Sequence, residues 1–129
     1  MSTRGHIIKK ESDGTYRKIY VGHDSYPAGV GFDLLSCYQN DEKIGELMDL
    51  GNISSLGETI EKCSAFGRDR GEAGEEAEIF LDDKHIFDYQ ECYTYLWDGE
   101  QWFIYNSEKP NCKELLTIEI CKLYNYPKN

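Results

Sequence analysis

The chain has 129 residues and a formal net charge of −10. That is the length of one domain able to bury its own core, with a charge that opposes direct binding to nucleic acid over most of the surface. No apolar run approaches the ~20 residues of a membrane helix, and the charged start MSTRGHIIKKESDG is unlike a signal peptide, so a cytoplasmic protein without a membrane partner is expected.

GHIIKK and TYRKIYV flank ESDG, two β-prone runs around an Asp-Gly turn, and predict an opening hairpin. In YVGHDSYPAGVGFDLL, residues 20–35, the residue before Pro27 is pushed to an extended conformation. Gly29 and Gly31 permit backbone geometries that other residues resist, which is how a strand turns into a helix. Val30, Leu34, Leu35 and Tyr38 then fall at helical spacing, Asn40-Asp41 interrupts, and Ile44, Leu47 and Met48 repeat the pattern. Two helices are expected, the second with Asp41 as N-cap and Gly51 as stop.

GNISSLGETIEKCSAF reads as a loop with a short helical turn, and GRDRGEAGEEAE, polar and without an apolar period, as a mobile acidic loop over 67–78. CYTYLW and QWFIYN flank DGE and predict a second hairpin, dense in aromatics. CKELLTIEICKLYNY, residues 112–126, suits a helix through Leu116 and Ile120 and a strand through Ile118 and Ile120; a short helix is the expectation. The whole predicts an α+β fold as one domain, 1–129. Its two hairpins would form an antiparallel sheet packed against two or three short helices. Tyr93, Tyr95, Trp97, Trp102 and Tyr105 would be divided between the core and an exposed face.

The chemistry-bearing residues are few. Cys37, Cys63, Cys92, Cys112 and Cys121 are odd in number and lack a C-x-x-C pair, which speaks for reduced thiols and against a disulfide framework or a standard zinc site. The 20–35 turn lacks the Gly-Lys-Ser/Thr ending of a phosphate loop and the spacing of a dinucleotide fingerprint. Free N–H groups at the helix start near Gly29 and Gly31 would still favour an anion or a partner's carboxylate. His23, Asp24 and Ser25 point to alternate sides of an extended chain, so a triad is not made locally. His6 and His85 are isolated, and neither metal nor cofactor is expected. Arg68 and Arg70 in RDRGE share a side if extended, which suits a carboxylate or phosphate, or the chain's own Asp69, Glu72, Glu75 and Glu76.

Charge is uneven along the chain. Residues 66–91 carry Asp69, Glu72, Glu75, Glu76, Glu78, Asp82, Asp83, Asp88 and Glu91 against Arg68, Arg70 and Lys84, whereas Arg4, Lys9, Lys10, Arg17 and Lys18 outnumber Glu11 and Asp13 over 4–18. Each segment is either a solvated face or a docking surface for an opposite charge.

The motifs together resemble a family of small bacteriophage and prophage proteins. That family begins with a Ser/Thr-Arg hairpin, continues with a Trp-Asp-Gly-Tyr-Pro-x-Gly-x-Gly turn, LG(D/N)ISSLG and RDRGE, and ends in an aromatic hairpin around Asp-Gly. The likeness covers roughly residues 1–106, with Asp24, Tyr26, Pro27, Gly29 and Gly31 matching, His23 at the usual Trp position and Ser25 at the usual Gly. It implies a phage setting in a host cytoplasm, where small acidic proteins often resemble inhibitors of host defence, including anti-CRISPR and anti-restriction proteins.

The leading expectation is therefore a non-enzymatic module that binds and blocks a host protein, such as a nucleic-acid-handling defence complex. Its acidic surface would be Glu72, Glu75, Glu76, Glu78, Asp82 and Asp83, and His23, Asp24, Tyr26, Gly29, Gly31, Arg68 and Arg70 are the candidate ligand or partner contacts. Two alternatives stand beside it. One is a binder of an anionic nucleotide signal using Gly29 to Gly31, Arg68 and Arg70; the other is a small enzyme using His23 and Asp24.

Overall fold

A computed structural model describes residues 3–88, 91–106 and 109–123. Both predicted hairpins are present, β1 (Gly5–Lys10) with β2 (Tyr16–Val21) and β6 (Tyr93–Trp97) with β7 (Trp102–Asn106). In the first turn Asp13 accepts from the Thr15 amide, and Gly14 takes the left-handed backbone (φ 89°) that such a turn requires.

The fold is α+β, but the hairpins meet through a parallel pair, with Ile7 of β1 opposite Tyr95 of β6, so the sheet is mixed and not antiparallel throughout. Parallel pairing needs a long crossover, and the chain between β2 and β6 supplies it. With β3 (Ile53–Ser55), β4 (Ser64–Ala65) and β8 (Lys109–Leu115), the strand order is β4-β3-β2-β1-β6-β7-β8, and β5 (Glu78–Phe80) also pairs with β2. The stretch expected as loop contains β3 (Ile53–Ser55), β4 (Ser64–Ala65) and α3 (Phe66–Arg70). Residues 67–70, expected in a mobile loop, are thus helical.

One face of the sheet carries α1 (Phe32–Cys37) and α2 (Asp41–Leu50), reached through a π-helical turn at Pro27–Gly31. Ile7, Ile19, Leu34, Tyr38, Ile44, Leu47, Tyr95, Trp97 and Trp102 are buried in that core. The N-cap of α2 is Asn40, whose side chain accepts from the Lys43 amide at 2.7 Å, and not Asp41. Asp41 has another role. Its carboxylate accepts from the Trp97 indole at 2.8 Å and from buried Lys9 at 3.2 Å, docking the start of α2 on the sheet. The indole first, and Lys9 after it, hold that carboxyl below its usual range.

The opposite face is also covered. Ile8, Tyr16, Ile86, Leu96 and Tyr105 form a second cluster with Phe80, Phe87 and Phe103. Tyr95, Trp97 and Trp102 therefore face the helices, with Tyr93 half-buried beside them, while Tyr105 packs under the 80–88 segment instead of facing solvent. Lys18 fastens that segment, donating to the carbonyls of Ile86 (2.8 Å) and Asp88 (3.0 Å). At the end of the described chain, β8 (Lys109–Leu115) pairs with β7 and α4 (Ile118–Leu123) follows. The ambiguous segment 112–126 thus holds both elements, strand pairing taking its first part and the expected short helix following from 118; residues 124–126 lie outside the described residues.

His6, beside Lys18, Glu78, His85 and Asp88, is brought down to about 4 from 6.5 by burial and then by the Lys18 charge. The unfolded chain binds more protons than the folded one between those values. Stability contributed by neutral His6 is present above pH 6.5 and is lost as pH falls toward 4. Replacing it, His6→Phe, is expected to flatten the fall in melting temperature across that window. An equally steep fall in the variant would assign the titration to other groups.

Candidate functional site

Two surface clefts gather the residues singled out in the sequence. The first, about 110 Å³, is lined by His23, Asp24, Tyr26, Gly29, Asp33 and Leu56, with Val30 and Ser55. Asp24 adopts a left-handed conformation (φ 59°), and its carbonyl accepts from Val30 N at 2.8 Å, folding the turn back on itself. A Cβ at position 29 would overlap that carbonyl, so the turn closes only with glycine there. Gly31 packs against the Tyr95 ring, whose hydroxyl donates to the Ser25 carbonyl at 2.6 Å.

This geometry does not make an anion cradle. The Gly29 amide donates to Tyr26 O (2.9 Å) and the Val30 amide to Asp24 O, so both are occupied. The lining is acidic as well: burial, then the charges of Glu58 and Asp24, raise the Asp33 carboxyl above its usual range. The candidate triad residues make no hydrogen bond to one another either. His23 Nδ1 donates to Ser54 O at 2.9 Å, while Ser25 is fully buried with its hydroxyl unpartnered. Among the described residues no cluster of three or more His, Cys, Asp or Glu is placed to hold a metal.

The second cleft is larger, about 370 Å³, and is lined by Asp49, Leu50, Gly67, Arg68, Glu72, Glu75 and Glu76. The sequence expectation of a paired Arg68 and Arg70 does not hold, because helical spacing in α3 turns them to different sides. Arg68 grips Asp69 through two hydrogen bonds of 2.8 Å and also donates to the carbonyls of Ile60 and Cys63. Arg70 stacks over the Phe66 ring at 4.9 Å. That Arg68 contact, followed by the Ala65 amide, lowers the Asp69 carboxyl to about 2. Gly71 (φ 67°) then ends α3 and releases the chain into the acidic stretch.

The acidic stretch is tied to the end of α2. Asn52 N donates to Glu75 O at 2.7 Å, and Gly51 lies directly beneath that carbonyl. Glu72 and Glu76 are left exposed at the rim, as are Glu78, Asp82 and Asp83 further along. Three cations of the basic 4–18 segment are engaged within the fold: Lys9 pairs with Glu11 and Asp41, Arg17 with Glu11 and Asp49, and Lys18 is buried, while Arg4 and Lys10 stay exposed.

The LGNISSLG segment joins the two clefts, since Leu50 lines one and Ser55 and Leu56 the other. Asp33 and Asp49 were not among the residues expected at a site. Asp49 lies in the last turn of α2, where it also accepts from Arg17 at 2.7 Å, and no local pattern announces its place at the cleft. No family model matches the chain, and no curated protein or solved structure matches it.

Proposed function

We propose that the protein is a non-enzymatic docking module that binds a basic site on a host protein and blocks it. In the phage setting that its motifs suggest, the target is a nucleic-acid-handling defence complex of the anti-CRISPR or anti-restriction kind, whose nucleic-acid cleft the acidic surface would occupy. The observation that carries the reading is the acidic cleft, where Glu72, Glu75 and Glu76 stand with Asp49, itself paired with Arg17, around Arg68, which is already bonded to Asp69. A large field of one sign steers association with an oppositely charged partner and disfavours others. The nucleotide-binding alternative lacks comparable support, because Gly29 and Arg68 line different clefts.

The test is capture from a bacterial host lysate by the immobilised protein, at low and high salt. Capture of a nucleic-acid-binding complex is expected, released by salt and by added DNA or RNA. The double charge reversal Glu72→Lys with Glu76→Lys is expected to weaken it at least about tenfold. Capture indifferent to both salt and charge reversal would refute the proposal.

A further inference from the structure

We infer that β5 is the strand edge on which the partner docks, and that it takes up an extended lysine- or arginine-rich segment as an added strand; this rests on the acidic-docking reading above. β5 pairs with β2 along one side, Glu78 opposite Lys18, Ile79 opposite Arg17 and Phe80 opposite Tyr16. Among the described residues no strand pairs with its other side. An open edge offers unmet N–H and C=O groups as a template for another chain.

The side chains at this edge suit an interface. Ile79 is 70% exposed and Leu81 84%, the most exposed of the large apolar side chains among the described residues, and they stand among Glu76, Glu78, Asp82 and Asp83. Apolar anchors inside a charged rim are the usual composition of a binding patch. Residues opposite one another in a pair share a face. Ile79 therefore lies on the face of Arg17, which reaches Asp49 and the Gly45 carbonyl of α2. That is the face that carries Asp49, and β5 begins two residues after Glu76 of the acidic cleft, whereas Glu78 and Phe80 line the cleft beside Lys18 on the other face.

Charge selects the occupant. A second copy of this chain would set Glu76, Glu78, Asp82 and Asp83 near their own equivalents, and like charges across a strand pair are unfavourable. A basic strand places its cations against those carboxylates. The edge is also held in advance, by Asn52 on the Glu75 carbonyl at one end and Lys18 on Ile86 and Asp88 at the other, which reduces the ordering cost of binding.

Amide hydrogen exchange of the full chain tests this with an alternating Lys-Val peptide, and with a peptide of equal charge in which proline replaces valine. The Lys-Val peptide is expected to bind saturably and to slow exchange at residues 78–80 at least about tenfold. The substitutions Ile79→Lys and Leu81→Lys together are expected to weaken it at least about tenfold. If the proline peptide binds equally well and exchange at β5 is unchanged, strand addition is wrong while acidic docking stands. If neither peptide binds, both readings fall. Self-association of the protein alone with protection of β5 would give the edge to a second copy and overturn the inference.

Discussion

Replacing Trp102 with alanine is expected to lower the unfolding free energy by about 3–5 kcal/mol, the range for emptying a buried aromatic site. Trp102 is 1% exposed, lies opposite Trp97 across the β6–β7 pair, and meets its ring at 5.4 Å between centroids. Its indole N–H also donates to the Tyr38 carbonyl at 2.7 Å, closing the end of α1. Alanine removes the ring and leaves that carbonyl without its partner in a dry site. With typical stabilities of about 5–15 kcal/mol, the loss takes a large share of the total. Urea unfolding followed by circular dichroism measures it. Trp102→Phe keeps most of the volume and loses the hydrogen bond, for an expected cost of about 1–3 kcal/mol. A loss for the alanine variant below about 2 kcal/mol would contradict the core position of this ring.

The second large effect is expected at Gly51. Its backbone (φ 76°, ψ −152°) lies in a region nearly closed to residues with a Cβ, and an added Cβ would overlap the Glu75 carbonyl. Gly51→Ala should cost about 3 kcal/mol, as backbone strain of about 1–3 kcal/mol adds to displacement of the 75–76 segment. The consequence reaches the acidic cleft, because Asn52 N–H then loses the Glu75 acceptor that anchors the stretch. Faster exchange at the Asn52 amide and weaker charge-dependent capture should accompany the stability loss. Gly45→Ala is the contrast. In the interior of α2 an added Cβ would meet only Arg17 Nη2 at 3.6 Å, and alanine should stabilise the helix by about 0.5–1 kcal/mol. Equal losses at both glycines would remove the conformational argument.

Local chemistry explains what was legible before the structure. The Asp13-Gly14 and Asp98-Gly99 turns announce both hairpins, because few residues supply the backbone that closes such turns. The 3.6-residue spacing of Ile44, Leu47 and Met48 announces α2, and Gly51 announces its end. The cap of α2 is Asn40, one residue before the expected Asp41: either residue type can cap, and Asp41 is engaged instead by Trp97 and Lys9 across the sheet. β3 and β5 are not legible in the sequence, because three-residue strands carry too few positions to show alternation.

The site divides the same way. The acidity of residues 66–91 is a property of composition, and so is the excess of carboxylates at the surface. Whether Arg68 and Arg70 converge, whether Lys9, Arg17 and Lys18 face solvent, and which edge of the sheet stays open depend on pairings across dozens of residues. The sequence by itself determined the two hairpins, the amphipathic helices and the sign of the surface, since each arises from neighbouring residues and short-range backbone preferences. Only the tertiary structure decided that β1 and β6 run parallel, that Lys9 and Lys18 are buried, and that Ile79 and Leu81 stand exposed among the acids. Those outcomes come from the burial of apolar area and the pairing of charges between segments far apart in the chain, where local pattern carries no information.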